Sequence, residues 1–340
     1  MRSLLTLTLL IAFYVMTAQT ADSAKAEKAK DKKTGLSLEA GRTYKLQTNE
    51  GTWMSLDVSP DGQKIAFDLL GDLYLLPITG GKAERITKGL AFDSHPKFSP
   101  DGKHLAFISD RDGNENVWIM PTGGGDSTQV TKETTDYLQS AEWTPDGQYL
   151  VVAKGRRNLK LFLYHREGGS GAQLTDKPEN TKFIEPAFGS NGRYLWFSQR
   201  NGDWEYNAQL PEYQLSVYDR EKGEIEPQTS RYGSAFAPTL SPDGQWLVYG
   251  SRYNTQTGLV RRNLLTGEEQ WLAYPVQRDE QESRARMGVY PAMSFTPDSK
   301  FVLASYGGKI WKLPISGGAA MPVPFEVSAE YDLGPEVRFD

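Results

Sequence analysis

The 340-residue sequence contains no cysteine. That absence excludes disulfides, thiolate metal centres, a cysteine nucleophile and acylation at a lipoprotein cysteine. Histidine is almost as scarce: His95, His104 and His165 are the full set, and no two are spaced to grip one metal ion from a single strand. No Gly-x-Ser-x-Gly nucleophile elbow occurs, and the near match Gly168-Gly169-Ser170-Gly171-Ala172 reads as a flexible hairpin turn. No position is therefore assigned as catalytic, metal-binding or cofactor-binding. Positive charge is also lacking, with 38 Lys and Arg against 43 Asp and Glu. The cations after the N-terminal segment are scattered, so nothing tracks a phosphate backbone and nucleic acid is not an expected partner.

Long hydrophobic runs are missing as well. The apolar stretch from Leu4 to Met16 falls short of the roughly 20 residues a spanning helix needs. It follows Met1-Arg2 and precedes the small and polar residues Thr17 to Ala21, the layout of a secretory signal peptide over residues 1–21, with a membrane anchor as the alternative. Residues 22–41 are rich in Lys and Ala and read as a solvated linker. The expectation is an exported chain, periplasmic or secreted, with no membrane span once processed.

What is abundant is turn chemistry: 33 Gly and 19 Pro. One phrase recurs as Ser59-Pro60-Asp61-Gly62, Ser99-Pro100-Asp101-Gly102, Thr144-Pro145-Asp146-Gly147 and Ser241-Pro242-Asp243-Gly244, with weaker copies at Gly189-Ser190-Asn191-Gly192 and Thr296-Pro297-Asp298-Ser299. Successive Asp or Asn positions are 40, 45, 45, 52 and 55 residues apart, a propeller-blade period. Each phrase is a turn with a mechanism, because Pro presets φ, Asp bonds back to nearby amides and Gly accepts positive φ. Asp61, Gly62, Asp101, Gly102, Asp146, Gly147, Asp243 and Gly244 are accordingly read as structural turn residues. Apolar β-prone runs flank every phrase, a third strand follows, and Gly-rich turns lead to a fourth.

The expected fold is all-β, a propeller of six four-stranded blades over residues 42–327. One strand is surplus. Arg42 to Thr48 precedes the first repeat and has no blade waiting for it, so it either lies outside blade six or completes a blade beyond Asp340. The tail 328–340, with Val337-Arg338-Phe339 resuming a β-like pattern, favours the second option and a larger propeller region.

The phrase, the hairpin Ser109-Asp110-Arg111-Asp112-Gly113, the aromatic third strands and the closing Thr together resemble TolB-like propeller repeats throughout residues 42–325. More narrowly, Gly51 to Gly62 followed by Phe67-Asp68-Leu69-Leu70-Gly71-Asp72 looks like the start of large exported bacterial amidohydrolases. That resemblance implies a non-catalytic propeller ahead of a metal-dependent hydrolase domain not contained in this sequence, serving as a docking or gating scaffold. The alternative is a stand-alone periplasmic propeller of TolB type that binds a protein. Either way the expected partner is a protein or peptide-like ligand, with the hydrolase domain of a parent protein added in the first reading.

In a propeller the loops entering the innermost strands converge on one mouth of the channel. Trp53, Asp93, His95, Tyr137, Glu185 and Tyr290 lie on those loops and are the candidate binding residues. The competing reading is that such polar groups serve only to bond neighbouring blades. Asp110, Asp112 and Glu115 could form a small calcium loop, but a hairpin turn accounts for them more simply.

Overall fold

A computed structural model describes residues 40–203, 205 and 209–334; the expected signal peptide, most of the linker and Val337 to Phe339 lie outside them. Among the described residues there is no helix. Residues 42–333 form one compact unit built from six four-stranded antiparallel sheets. The innermost strands are Leu56–Val58, Asp93–Phe98, Tyr137–Trp143, Thr181–Phe188, Phe236–Leu240 and Ser294–Phe295. Each is followed outwards by its second, third and fourth strands in chain order, so these are propeller blades.

The second strands show why the blades stack. Lys64–Leu69, His104–Ser109 and Tyr149–Gly155 are apolar runs buried on both faces, because each is covered by a neighbouring blade on either side. The ring closes between blades six and one, where Leu56 N donates to Ala292 O at 3.1 Å and Val58 N to Ser294 Oγ at 3.1 Å.

The turn phrases rest mainly on local bonds, with one link between phrases, Asp243 N donating to Ser299 Oγ at 3.0 Å. In blade two Asp101 accepts from Ser99 Oγ at 2.5 Å and from Lys103 N at 3.1 Å, while Ser99 Oγ accepts from His104 N at 3.0 Å. Asp61, Asp146, Asp243 and Asp298 repeat the pattern. Gly62, Gly102, Gly147 and Gly244 all sit at φ between 67° and 71°, the left-handed region that glycine enters without strain. A side chain at Gly62 would also stand 3.3 Å from the Pro297 ring of the adjacent phrase, so the phrases pack against one another around one end of the ring.

The surplus strand has a partner that neither sequence expectation named. Arg42–Thr48 pairs antiparallel with Phe325–Leu333 along its whole length, Arg42 opposite Leu333 and Thr48 opposite Val327. That ribbon joins blade one sideways through a parallel pairing of Phe325 and Glu326 with Gly81 and Lys82. The fourth strand of blade six, expected to reach Phe325, ends at Val323. Pro324 has no amide hydrogen to continue the ladder, and Phe325 instead starts a strand that runs through the expected boundary at residue 327. Phe325 is buried against Phe67, with ring centroids 5.4 Å apart, and Tyr74 and Tyr331 join their hydroxyls at 2.5 Å.

Phe325→Ala should therefore lower unfolding free energy by about 3–5 kcal/mol, the cost of emptying a packed aromatic site. Urea denaturation checks this, and a loss below about 1 kcal/mol would mean that the ribbon is peripheral to the ring.

Candidate functional site: a channel closed at one mouth

Each innermost strand starts at one mouth, which we call the entry mouth, and ends at a turn phrase. Four of these strands carry a register irregularity near the entry mouth, between Leu138 and Ser140 and, with a residue at positive φ inside the skip, between Ser94 and Lys97, Ile184 and Ala187, and Phe236 and Thr239. The bulged residues His95, Glu185 and Ala237 have φ of 54°, 56° and 54°. This costs backbone strain for non-glycine residues, and the compensation is visible: each bulge turns an amide towards the preceding blade. His95 N donates to Asp68 Oδ2 at 2.8 Å, Glu185 N to Ser140 Oγ at 3.1 Å, and Ala237 N to Glu185 Oε2 at 2.8 Å and Ser198 Oγ at 2.9 Å. Asp68, Ser198 and Ser305 occupy equivalent places on second strands, and Ser305 Oγ likewise reaches the next blade at Met54 O, 2.6 Å away. These bonds are the blade-to-blade latches that the alternative reading of the polar residues required.

The entry mouth is covered by the protein's own chain. The connection from blade five to blade six folds into a loop that Glu280 N closes on Val289 O at 2.9 Å, and we refer to residues 279–290 as the plug. Asp279 anchors its base, completely buried and bonded by the Arg252 guanidinium at 2.6 and 2.8 Å. Over the channel, Trp53 Nε1 and His95 Nε2 both donate to Met287 O, at 2.7 and 3.2 Å. Lys182 Nζ donates to Arg284 O at 2.7 Å, and Glu185 Oε1 accepts from Val289 N at 2.5 Å. Arg286 lies 4.2 Å over the Tyr137 ring and pairs with Glu115 at 2.6 Å. Tyr290 is buried, with its hydroxyl donating to Ser305 O at 3.3 Å.

Four of the six candidate residues thus converge on the plug, Trp53, His95, Tyr137 and Glu185, and a fifth, Tyr290, is its last residue. Asp93 does not; it is buried at the side of blade two and paired with Arg111 at 2.8 Å. Lys182, Asp68, Arg252 and Asp279 were missed. For the plug residue Asp279 the available signal was spacing, because the last repeat step, 55 residues, leaves about ten residues more than a blade uses; Asp68 and Lys182 carried no such signal.

Electrostatics follow from burial. The His95 imidazole is pushed down to about 4, first by burial and then, against its bond to Met287 O, by the nearby Lys97, so it is neutral and its bond to a carbonyl requires the proton on Nε2. Burial raises Asp68 to about 7 against the pull of the His95 and Ser55 amides. It also raises Glu185, against its three donors, and lowers the Lys182 ammonium to about 7, with Arg200 adding to the effect.

Beneath the plug lies a cavity of about 200 Å³ on the channel axis. One side carries Asp57, Lys97 and Glu142 from three consecutive blades; Ala187, Thr239 and Ser294 hold the equivalent places opposite. Lys97 stands 3.0 Å from Glu142 and 3.9 Å from Asp57. Burial alone would lower its ammonium, but Glu142 and Asp57 outweigh that and hold it above the ordinary lysine value. The Lys97 and Glu142 side chains keep 19% and 20% exposure, so the cavity communicates with solvent.

Among the described residues, no three His, Asp or Glu side chains are grouped so as to hold a metal ion. In the hairpin read as a possible calcium loop, Asp110 accepts from Phe92 N, Asp112 from Asn116, and Glu115 from Arg286. His104 lies against Arg166 and His165 against Glu167.

A six-bladed ring with latched inner strands and a plugged mouth defines a propeller of the repeat type suggested by the turn phrases. The family described as TolB beta propeller domain matches residues 27–210, and the chain belongs to it. Tricorn protease homolog 1 of Streptomyces coelicolor is 35% identical over 102 residues, which is 30% of this chain and 10% of that protein. The uncharacterized peptidase YuxL of Bacillus subtilis is 26% identical over 205 residues, 57% of this chain and 28% of the relative. The chain thus aligns with a minor part of either relative's length. The uncharacterized protein Atu1656 of Agrobacterium fabrum is 25% identical over 202 residues, covering 67% of that protein.

Among solved structures, a putative TolB from Agrobacterium tumefaciens superposes with a TM-score of 0.60 at 20% identity, covering 77% of this chain and 90% of the other. TolB from Acinetobacter baumannii gives 0.62 at 16% identity, covering 82% and 65%. At these identities the structural likeness speaks to the fold. Among the described residues, no helix is long and apolar enough to cross a membrane.

Proposed function

We propose that this chain is a non-catalytic docking module, the N-terminal propeller region of a longer exported protein of amidohydrolase type, which holds a protein or peptide-like partner for a hydrolase domain. The observation that carries docking over gating is the plug. A substrate passing along the axis would have to break the bonds of Trp53, His95, Lys182 and Glu185 to the segment 284–289, whereas a partner bound on the rim leaves them intact. The rim beside the plug offers a suitable surface. Tyr232 and Tyr253 are 82% and 59% exposed and flank a groove with Arg231, Arg252 and Arg278, the aromatic and arginine chemistry that dominates binding hot spots.

The partial coverage of relatives named as peptidases supports a propeller that forms part of a larger hydrolytic protein. A stand-alone envelope propeller of TolB type is favoured instead by the 90% coverage of the Agrobacterium TolB structure. An antibody against residues 42–333 separates the two readings on an immunoblot of the native cells, with a species well above 38.0 kDa expected for the first. For docking, a photo-crosslinker placed at Tyr232 or Tyr253 should capture a partner in the cell envelope. The same probe at Leu265, exposed on a turn at the opposite end of blade five, should not. Equal capture at both ends, or capture at Leu265 alone, overturns the rim as the docking face. Chelator-sensitive hydrolysis of peptide, amide or imide substrates by the purified chain would falsify the non-catalytic assignment.

A further inference from the structure

Beside the plug, between blades three and four, a cavity of about 330 Å³ is lined by Tyr137, Arg156, Arg157, Lys182, Arg200 and Arg284. Five of these six residues are cationic types and none is acidic. Arg156 and Arg157 stand in the hairpin after the second strand of blade three, at the rim, with exposed side chains, and their ion pairs among the described residues are long, to Asp136 at 3.9 Å and to Asp203 at 3.8 Å. Such pairs are weak and readily exchanged.

Arg200 is different. It is 2% exposed, and its Nε and Nη1 have no hydrogen-bond partner. Among the described residues neither Arg200 nor Lys182 forms an ion pair, although Lys182 is itself 1% exposed and bonds only the Arg284 carbonyl. A buried guanidinium with two unbonded N–H donors is costly; Glu212 acts on it without closing to an ion pair, and such donors suit the oxygens of a carboxylate or phosphate. Burial lowers the Lys182 ammonium most, and Arg200 lowers it further against the opposing charge of Glu185.

We propose that this cavity is a binding site for the oxoanion group, carboxylate or phosphate, of a small molecule, with Arg200 and Lys182 as its buried anchors and Arg156 and Arg157 closing on it from the rim. The volume lies at the lower end of ordinary ligand pockets, about 300–1,000 Å³, so it accommodates an oxoanion with a short organic stem. The Tyr137 ring supplies an apolar wall, held in place by Arg286. The site lies against the plug through Lys182 and Arg284 and is separate from the tyrosine rim at Tyr232, so its fate does not depend on the docking reading.

Calorimetric titration of the full chain with inorganic phosphate and with citrate, against sodium chloride of equal ionic strength, tests the assignment. Saturable binding of at least one of the two, at one site per chain, is expected, and the tighter binder identifies phosphate or carboxylate as the source. Arg200→Met should weaken that binding at least tenfold while leaving the thermal midpoint in chloride unchanged or raised, because an unpaired buried cation is removed. Lys182→Met should weaken it similarly and stands in if the first variant fails to fold. Binding of neither anion, or wild-type affinity in a folded Arg200→Met or Lys182→Met protein, overturns the proposal.

Discussion

Glu185→Ala is expected to lower stability by about 3–5 kcal/mol and to loosen the plug before the ring unfolds. One carboxylate serves three donors from different parts of the molecule: Val289 N in the plug, Ala237 N in blade five and Ser198 Oγ on its own blade. Truncation leaves the Val289 N–H and the Ser198 hydroxyl without their acceptor, each costing ~1–3 kcal/mol, and the strained bulge at Ala237, left with Ser198 Oγ alone, loses part of its compensation. Hydrogen exchange should show Val289 and Ala237 losing protection together, whereas amides of the second strand of blade two, His104–Ser109, keep theirs. Glu185→Gln retains one acceptor oxygen and should lose about half as much. If Val289 stays protected in the alanine variant, Glu185 does not hold the plug.

Lys97→Met should show the second large effect, one that depends strongly on pH. Lys97 lies between Asp57 and Glu142 in the channel, and its loss leaves two partly buried carboxylates facing each other without a cation. Breaking such a group from one side costs about 3–5 kcal/mol. The sign with pH follows from Glu142, which burial already raises and which Lys97 holds down. In the variant its folded pKa climbs further above the unfolded value of 4.5. Between those two values the folded state binds the proton more tightly than the unfolded chain, so the variant's stability falls as pH rises through that window and is regained on acidification. Denaturation at pH 5 and pH 8 should show the larger deficit at pH 8. Adding Glu142→Gln should recover part of it at pH 8, and a deficit equal at both pH values and unrelieved by the second change would exclude the charge explanation.

The turn phrases were legible in the sequence because their physics is local. Ser99, Asp101, Lys103 and His104 satisfy one another within five residues, and no distant group is needed to make the pattern meaningful. The candidate mouth residues were legible for a related reason: position relative to the phrase tells which end of an inner strand a residue occupies. Their role was not. Trp53 and His95 looked like groups offered to a ligand, yet both bond Met287, more than 190 residues further along the chain. Asp93 entered the candidate set by position and left it through Arg111, whose reach across the hairpin no spacing rule anticipates.

The surplus strand marks the same division. Arg42–Thr48 was identifiable as a strand from composition, but a strand's partner is chosen by edges that exist only after the blades have formed. Here the available edge belonged to Phe325–Leu333, and Pro324, by breaking the sixth blade's ladder, released that segment to pair with it.

The all-β architecture, the six repeats and the turn that ends each inner strand follow from the order of residues alone, because those rest on φ preferences and on bonds between near neighbours. Closure of the channel at its entry mouth, the gathering of Asp57, Lys97 and Glu142 on one side of it, and the burial of Arg200 beside Lys182, without an ion pair among the described residues, arise in the folded ring. Those outcomes depend on burial and on distances between residues from 18 to 234 positions apart, and such terms acquire a value only when the blades close into a ring.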